Sequence, residues 1–553
     1  QWREVYRGLV RALLAQDRPR EALTILDRSR ARHLQDLRTR ARVANQLPPD
    51  ERARLDSLSR ALTDVRNRLG NAALSDDETA ALRNRETSLM AARQQLLQID
   101  SSSSRPSLDA IMDRLADQNR ALVSYFLDDP WPVFDRSPRS VAFVLTADTL
   151  QTISLPGLTQ DSVQAQVESV SPLFTSQGKP ERVNGMHFDL RPLHTLHETV
   201  YAPVATELPP DQPLTVVPDG PLFHLPFSML VDSMPGGRYA PSDARFVLHE
   251  RPTSLELAPS LVADTAQYTH DWETFNPQMA AYGVSDFDTL ETVPSALRTA
   301  LPGAVQDSVI RLPPLPGVQR ELDALQSAVP DTRVALNDAA NEQSFCRDAQ
   351  RAGILHVASH AFVNSSSPLQ NAILLRPSPD GDRTGGERPS PTASSDGVLF
   401  LHELQGQQSH IPLVVLSGCS TAEGTLRGGE GMEGLQYAFR AMGARSTLSN
   451  LWPAADEASV ELMGAFYQNL TDGLAKDEAL RQAQLSYLQN HPQKASPFFW
   501  APTVLYGSPA GLPLESGGLP VWAWWALGGL GVVGLVLLVA WYRRNRGHSV
   551  SRA

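Results

Sequence analysis

Six short apolar runs constrain this chain most: Ala121 to Phe126, Val141 to Leu145, Leu214 to Val217, Ile354 to Val357, Val414 to Leu416 and Ser446 to Leu451. Runs this short, without polar alternation, are the mark of strands covered on both faces, as in a parallel sheet flanked by helices. With helical patterns between some of them, the region from about Arg105 onward reads as α/β. Two of the runs end in chemistry. His360 is the last residue but one of GILHVASHA, and Cys419 lies 59 residues later in IPLVVLSGCSTAEG. Catalytic groups in open α/β sheets collect where strands end, so an imidazole and a thiol leaving two such strands are candidates for base and nucleophile. A plain alternative for Cys419 is a small buried hydrophobe. His356, inside the apolar run, reads as a core histidine.

Further motifs surround the pair. LTVVPDGPLFHLPFSML runs from Leu214 to Leu230, LPPLPGVQREL from Leu312 to Leu322, and DGVLFLHEL from Asp396 to Leu404. After the cysteine come GGEGMEGLQYAFRAMGARSTLSNLWPAADEAS and, from Phe499 to Gly507, FWAPTVLYG. In number and order these pieces resemble the CHAT family, caspase-like peptidase domains that follow tetratricopeptide repeats. The resemblance implies a caspase-like, mainly parallel sheet flanked by helices and a catalytic dyad of His360 and Cys419. It also implies an oxyanion hole built from the backbone N–H groups of Ala361 and Cys419. Ala361 departs from the family's Gly after the histidine. Ala keeps the N–H but restricts φ.

Composition narrows the alternatives. A formal charge of −12 argues against nucleic-acid binding. Two cysteines, Cys346 and Cys419, rule out a disulfide framework. The histidines show no metal-ligand motif such as HExxH, so neither a metal nor another cofactor is expected. RGGEGMEG, Arg427 to Gly434, lacks the Lys-Ser/Thr of a phosphate-binding loop and reads as a flexible wall of the active site. Asp456 and Glu457, in LWPAADEAS, are candidates for an acidic specificity pocket favouring a basic residue before the cut. An acidic pair there is also ordinary helix-start chemistry.

Five regions follow along the chain. Residues 1–45 read as the end of a TPR-like helical array, with Trp2, Tyr6, Leu9 and Leu13 as the apolar stripe of its first helix. Arrays usually need about three repeats, so more are expected upstream of Gln1. Residues 46–104 form a helical hairpin, with Leu55, Leu58, Leu62, Val65 and Leu69 as a coiled-coil seam and Ser75 with Glu78 as a capping box. The CHAT domain spans 105–514, with a long loop expected at Arg376 to Gly397.

The carboxyl end completes the expectation. Residues 515–542 contain a transmembrane helix, because Val521 to Tyr542 holds 22 residues without a charge, about 33 Å as a helix. The basic tail, 543–553, carries Arg543, Arg544, Arg546 and Arg552, which the positive-inside rule puts in the cytoplasm. The expected protein is therefore a single-pass membrane cysteine endopeptidase with its large domain periplasmic or extracellular. It would act on a protein substrate and be regulated by a protein partner held through the repeats. A non-catalytic scaffold and a hydrolase of other esters or amides stay open on the residues alone.

Overall fold

A computed structural model describes residues 2–69, 75–97, 105–129, 139–170, 188–264, 272–287, 312, 314–362, 371–377, 397–400, 403, 410–418, 425–427 and 431–514. Its centre is an eleven-stranded sheet. In chain order the strands are β1 (Ala121–Phe126), β2 (Val141–Leu145), β3 (Leu150–Ser154), β4 (Leu214–Val217), β5 (Thr253–Leu255), β6 (Met279–Gly283), β7 (Thr332–Leu336), β8 (Ile354–Ala358), β9 (Leu413–Leu416), β10 (Ser446–Asn450) and β11 (Thr503–Gly507). Across the sheet the order is β3-β2-β1-β4-β5-β11-β10-β9-β8-β6-β7. Strands β1, β4, β5 and β11 run parallel to one another, as do β10, β9, β8, β6 and β7. The two blocks meet antiparallel at β10 and β11, and β2 and β3 add an antiparallel edge.

The period-two geometry of a strand sends neighbours to opposite faces, and the core divides accordingly. From β8, Ile354 and Ala358 join one cluster while Leu355 and Val357 join another. The first face is covered by the helices Gly317–Ala328, Asp456–Thr471 and Lys476–Asn490. The second takes the helix Leu435–Met442. With both faces covered, the middle strands have no solvent side, and this is why β8 and β9 read as mainly apolar runs.

The amino-terminal helices lie on the sheet. Helices α1 (Trp2–Ala15), α2 (Pro19–Ser29) and α3 (Arg32–Gln46) precede α4 (Pro49–Leu69), α5 (Asp76–Leu97) and α6 (Leu108–Asp117). Val10, Leu13, Leu23 and Leu26 pack with Ile111 and Leu115 against Leu122, Phe126 and Phe143. The buried stripe of α1 is rotated from the expected one: Val10 and Leu13 are buried, while Val5 and Leu9 are exposed. Arg7 and Arg30 reach Asp219 at 3.4 and 3.6 Å, and Asp219 also accepts from the Leu127 amide at 2.9 Å. Asp219 sits in VPDG at the end of β4, and Gly220, at φ +54, supplies the left-handed residue that turns the chain there.

In α4 the expected seam is buried in part, with Leu58 and Leu69 half-buried. Leu55, Leu62 and Val65 of the predicted seam are buried. Ser75 and Glu78 form a reciprocal capping box, the Ser75 amide donating to Glu78 at 3.0 Å and the Glu78 amide to the Ser75 hydroxyl at 3.3 Å.

The expected membrane-crossing helix, and the single-pass periplasmic or extracellular location built on it, are corrected. No helix among the described residues is long and apolar enough to cross a membrane. The two longest, α4 and α5, have 21 and 22 residues, sufficient length at about 1.5 Å per residue. Both are charged throughout, which makes them surface helices. The segment 521–542, with the rest of 515–553, lies outside the described residues, as does 378–396 of the expected loop.

One buried charge on the far side of the sheet titrates in an accessible range. Lys476 is 1% exposed and its Nζ donates to the Ser508 carbonyl at 3.3 Å. Burial, with help from Arg445 and Arg440 and against Asp477, pushes its pKa down to about 7. Below pH 7 folded and unfolded chains both carry this proton, and the burial cost is felt in full. Between pH 7 and the ordinary lysine value near 10.5 only the unfolded chain holds it, so the cost is relieved as pH rises. Urea unfolding from pH 7 to 10 should therefore show wild type gaining on Lys476→Met, by at most about 1.4 kcal/mol per pH unit. Identical pH profiles for the two proteins would disprove a depressed lysine.

Candidate active site

The site is built where β6, β8, β9 and β10 end. Val357 of β8 pairs in parallel register with Leu416 of β9. The ladder continues one step, with the Ser417 amide donating to the Val357 carbonyl at 2.8 Å. His360 follows Val357 by three residues and Cys419 follows Leu416 by three, so both follow one register line by the same offset. Cys419 itself lies outside the described residues, whose last member on this run is Gly418.

His360 is held from both sides. Ser359 donates its hydroxyl to the Leu374 carbonyl, and the Leu374 amide donates to the His360 carbonyl at 2.9 Å. Directly after it, Ala361–Phe362 enters a small antiparallel sheet with Ala372–Leu374 and Val398–Phe400. Ala361 thus has extended backbone, which Ala adopts without strain. The imidazole is half-buried, its ring 4.8 Å from that of Phe287, which follows β6.

The approach to Cys419 is fixed by a residue that the sequence did not single out. Asn450, buried at the end of β10, donates from Nδ2 to the carbonyls of Gly418 at 3.3 Å and Ser417 at 3.5 Å. Its Oδ1 accepts from the Thr503 hydroxyl at 2.8 Å. The Ser417 hydroxyl meets that of Ser459 at 3.2 Å. The available signal was a polar Asn ending an otherwise buried strand, where an amide must find partners.

His356 takes the other face. It is fully buried, with Nδ1 3.1 Å from the Tyr467 hydroxyl and Nε2 3.2 Å from Glu321. The Glu321 approach is close, but it is not a well-directed hydrogen bond. Burial, and then the Glu321 charge, pushes the Tyr467 phenol well above its ordinary range. His356 is therefore a core residue of this sheet, as its place in the strand suggested.

Asp456 and Glu457 open the helix Asp456–Thr471 and diverge. Glu457 pairs with Lys494 at 3.1 Å, and that bond holds its carboxyl below the ordinary value. Asp456 lies against Gly317, where an added Cβ would come within 3.1 Å of its own Cβ. Its carboxyl is pushed upward, first by partial desolvation and then by Glu321. Gly317 of LPPLPGVQREL thus lies where the starts of the helices Gly317–Ala328 and Asp456–Thr471 approach closely. Of RGGEGMEG, Gly431–Glu433 pairs antiparallel with Thr425–Arg427, while 428–430 lie outside the described residues.

The fold and this edge define an α/β protein, mostly parallel in its sheet, with a histidine strand and a cysteine-bearing run side by side. Residues 190–508 match the CHAT domain, and the chain belongs to that family. It is similar to tetratricopeptide repeat protein 28 of Mus musculus, 24% identical over 348 residues, 57% of this chain and 13% of that protein. The Homo sapiens protein of the same name is 27% identical over 232 residues, 38% of this chain and 9% of that one. The chain thus spans only a small part of those relatives. Among solved structures, the Saccharomyces cerevisiae separase–securin complex overlaps 84% of this chain and 34% of its own, at 9% identity and a TM-score of 0.43. The Arg-specific cysteine proteinase gingipain R overlaps 64% and 74%, at 9% identity and a TM-score of 0.32. At such scores the fold rests on the strand order and the family, and on neither likeness.

The Asn450 contacts are testable by stability. Asn450→Ala should lose about 1–3 kcal/mol in urea unfolding followed by tryptophan fluorescence, the cost of orphaning buried partners. Asn450→Asp should lose more, because a carboxylate has no hydrogen to give the Gly418 carbonyl. An Asp variant as stable as wild type would mean that the Nδ2 contacts are unimportant.

Proposed function

We propose that this chain is a CHAT-class cysteine endopeptidase in which His360 and Cys419 form the dyad. The observation that supports the proposal is the register of β8 with β9, in which Val357 lies opposite Leu416, with His360 and Cys419 each following three residues later in the sequence. His360 would accept the Cys419 proton, and the thiolate would attack a peptide carbonyl carbon. Charge on the carbonyl oxygen would be met by the backbone N–H groups of Ala361 and Cys419. The C–N bond breaks as His360 returns the proton to the leaving amine, leaving a thioester that water hydrolyses. In this reading Asp456 supplies negative charge for a basic residue before the cut, while Glu457 is already committed to Lys494.

An electrophilic peptide probe tests the dyad. Labelling should occur on Cys419, vanish in Cys419→Ala, fall at least a hundredfold in His360→Ala, and persist in Cys346→Ala, whose thiol is buried. Equal loss from the Cys346 and Cys419 substitutions would point to a structural role for sulfur. An unlabelled Cys419 in folded wild-type protein, in every partner state, would favour a non-catalytic scaffold.

We further propose that a protein partner bound through the helical region regulates the site. Two contacts support this. Leu34 of α3 packs with Tyr437 and Ala441 on the helix Leu435–Met442, and Arg38 donates to the Arg440 carbonyl at 2.9 Å. That helix directly follows the run after Cys419, so moving α3 would bias the site between two states. Arg38→Ala, with unchanged circular dichroism, should alter the rate of Cys419 labelling at least threefold. An unchanged rate would remove this route of control.

A further inference from the structure

A second group of chemistry-bearing side chains lies far along the chain from the dyad residues, in RPLHTLHETVY, Arg191 to Tyr201. Pro192 starts the helix Arg191–Leu196, and a π-helical turn, His197–Tyr201, continues it. His194, His197 and Glu198 stand at i, i+3 and i+4, the spacing that puts three side chains on one helix face. One donor atom from each lies within 4.8 Å of the others. We propose that these three residues bind a divalent transition-metal ion of the zinc class.

Three observations favour an ion here over a chance cluster. His194 Nδ1 lies 2.9 Å from the Val231 carbonyl. A carbonyl can only accept, so Nδ1 carries the hydrogen, and Nε2 is the ring nitrogen left to bind an ion through the neutral imidazole. Metal-ligating histidines commonly donate their other ring N–H to a carbonyl in this way. Next, His197 Nδ1 and Glu198 Oε1 are 3.3 Å apart. That contact is a hydrogen bond; two donors on one tetrahedral zinc, each bonded at about 2.1 Å, lie about 3.4 Å apart, so an ion can take the place of the shared hydrogen with little change in spacing. The third observation is the backbone. A π-turn begins at the second histidine, and such turns concentrate at functional sites.

The donors also set the ion's chemistry. Two imidazoles and one carboxylate suit zinc and its neighbours, whereas magnesium and calcium prefer all-oxygen shells. His197 is buried, His194 half-buried and Glu198 exposed, so the ion would sit at the protein boundary with water in its fourth position. The imidazole planes are nearly parallel, 6° apart with centroids at 6.4 Å. Donor atoms within 4.8 Å of one another must close to about 3.4 Å around one tetrahedral ion, so His194 has to move by on the order of 1 Å. Through Val231 the ion would tie this helix to the strand Val231–Ser233, which pairs with Arg245–Phe246. The assignment is independent of the peptidase proposal.

Chelator-stripped Cys419→Ala protein, which removes a competing thiolate, tests the site by calorimetric titration with Zn²⁺ and by absorption with Co²⁺. One ion per chain is expected, with visible cobalt bands, no thiolate charge-transfer band, and a raised melting temperature on adding zinc. Glu198→Gln alters only an exposed side chain, so it should fold as wild type does. It should weaken binding at least tenfold, as should His194→Gln. Absence of binding at 100-fold molar excess of zinc, or unchanged affinity and stoichiometry in both variants, overturns the assignment.

Discussion

The parallel pairing of β8 with β9 is the constraint on which the site depends. A parallel ladder fixes relative height as well as adjacency, so pairing Val357 with Leu416 decides how far each strand's continuation reaches. A slip of one residue would also turn Ile354 and Ala358 from one core to the other, and both faces are packed. The register is therefore defended by the burial of every β8 residue. Nothing at the edge has to enforce it.

Apolar packing seats α1 and α2 on β1 and β2, and buried charge pairs fix where the layers dock. Asp219 gathers Arg7, Arg30 and the Leu127 amide at the end of β4, while Arg440 holds Glu256 through two bonds of 2.7 and 3.0 Å. Both acids are at most 7% exposed. Removing one member of such a pair leaves a buried charge, at a cost of about 3–5 kcal/mol. Shape-tolerant apolar contacts would let α1–α3 slide across the sheet. Directed pairs hold one docking, which gives a contact such as Arg38 to Arg440 a defined position relative to the cysteine run.

How legible this was follows from burial. The six runs all became strands, five of them in the middle of the sheet or at its β1–β4 block; full burial leaves β1, β2, β4, β8 and β9 mainly apolar, whereas β10, STLSN, is fully buried and mainly polar. Five strands went unread for identifiable reasons. MAAYG of β6 is buried, but small residues carry little hydrophobic signal. TSL of β5 is three residues long. β3 and β7 are sheet edges with half-exposed patterns, and β11 was visible only as part of a motif. On the site, His360 was readable as a residue leaving an apolar strand. Asn450 and Glu321 were not, because each acts through a partner distant in sequence. The rotation of the α1 stripe was invisible for the same reason: Leu9 and Val10 are equally apolar, and only the sheet beneath them chooses which is buried. A long uncharged segment at 521–542 drove the membrane reading, whereas the long described helices are charged ones.

The reversal at β10 and β11 explains why the candidate site draws on one block of the sheet and is braced by the other. Carboxyl ends of β6, β8, β9 and β10 share an edge, and on that edge the second block presents the start of β11. A strand start offers no outgoing loop to carry a catalytic group, but it offers a fixed anchor. Thr503 fills that role by donating to Asn450 Oδ1, which leaves Nδ2 aimed at the Ser417 and Gly418 carbonyls. The backbone leading to Cys419 is thus oriented through a chain of two hydrogen bonds that begins in the opposing block. Looser packing between the blocks would be transmitted first to that run, and only afterwards to His360, which is held by Leu374 within a sheet of its own.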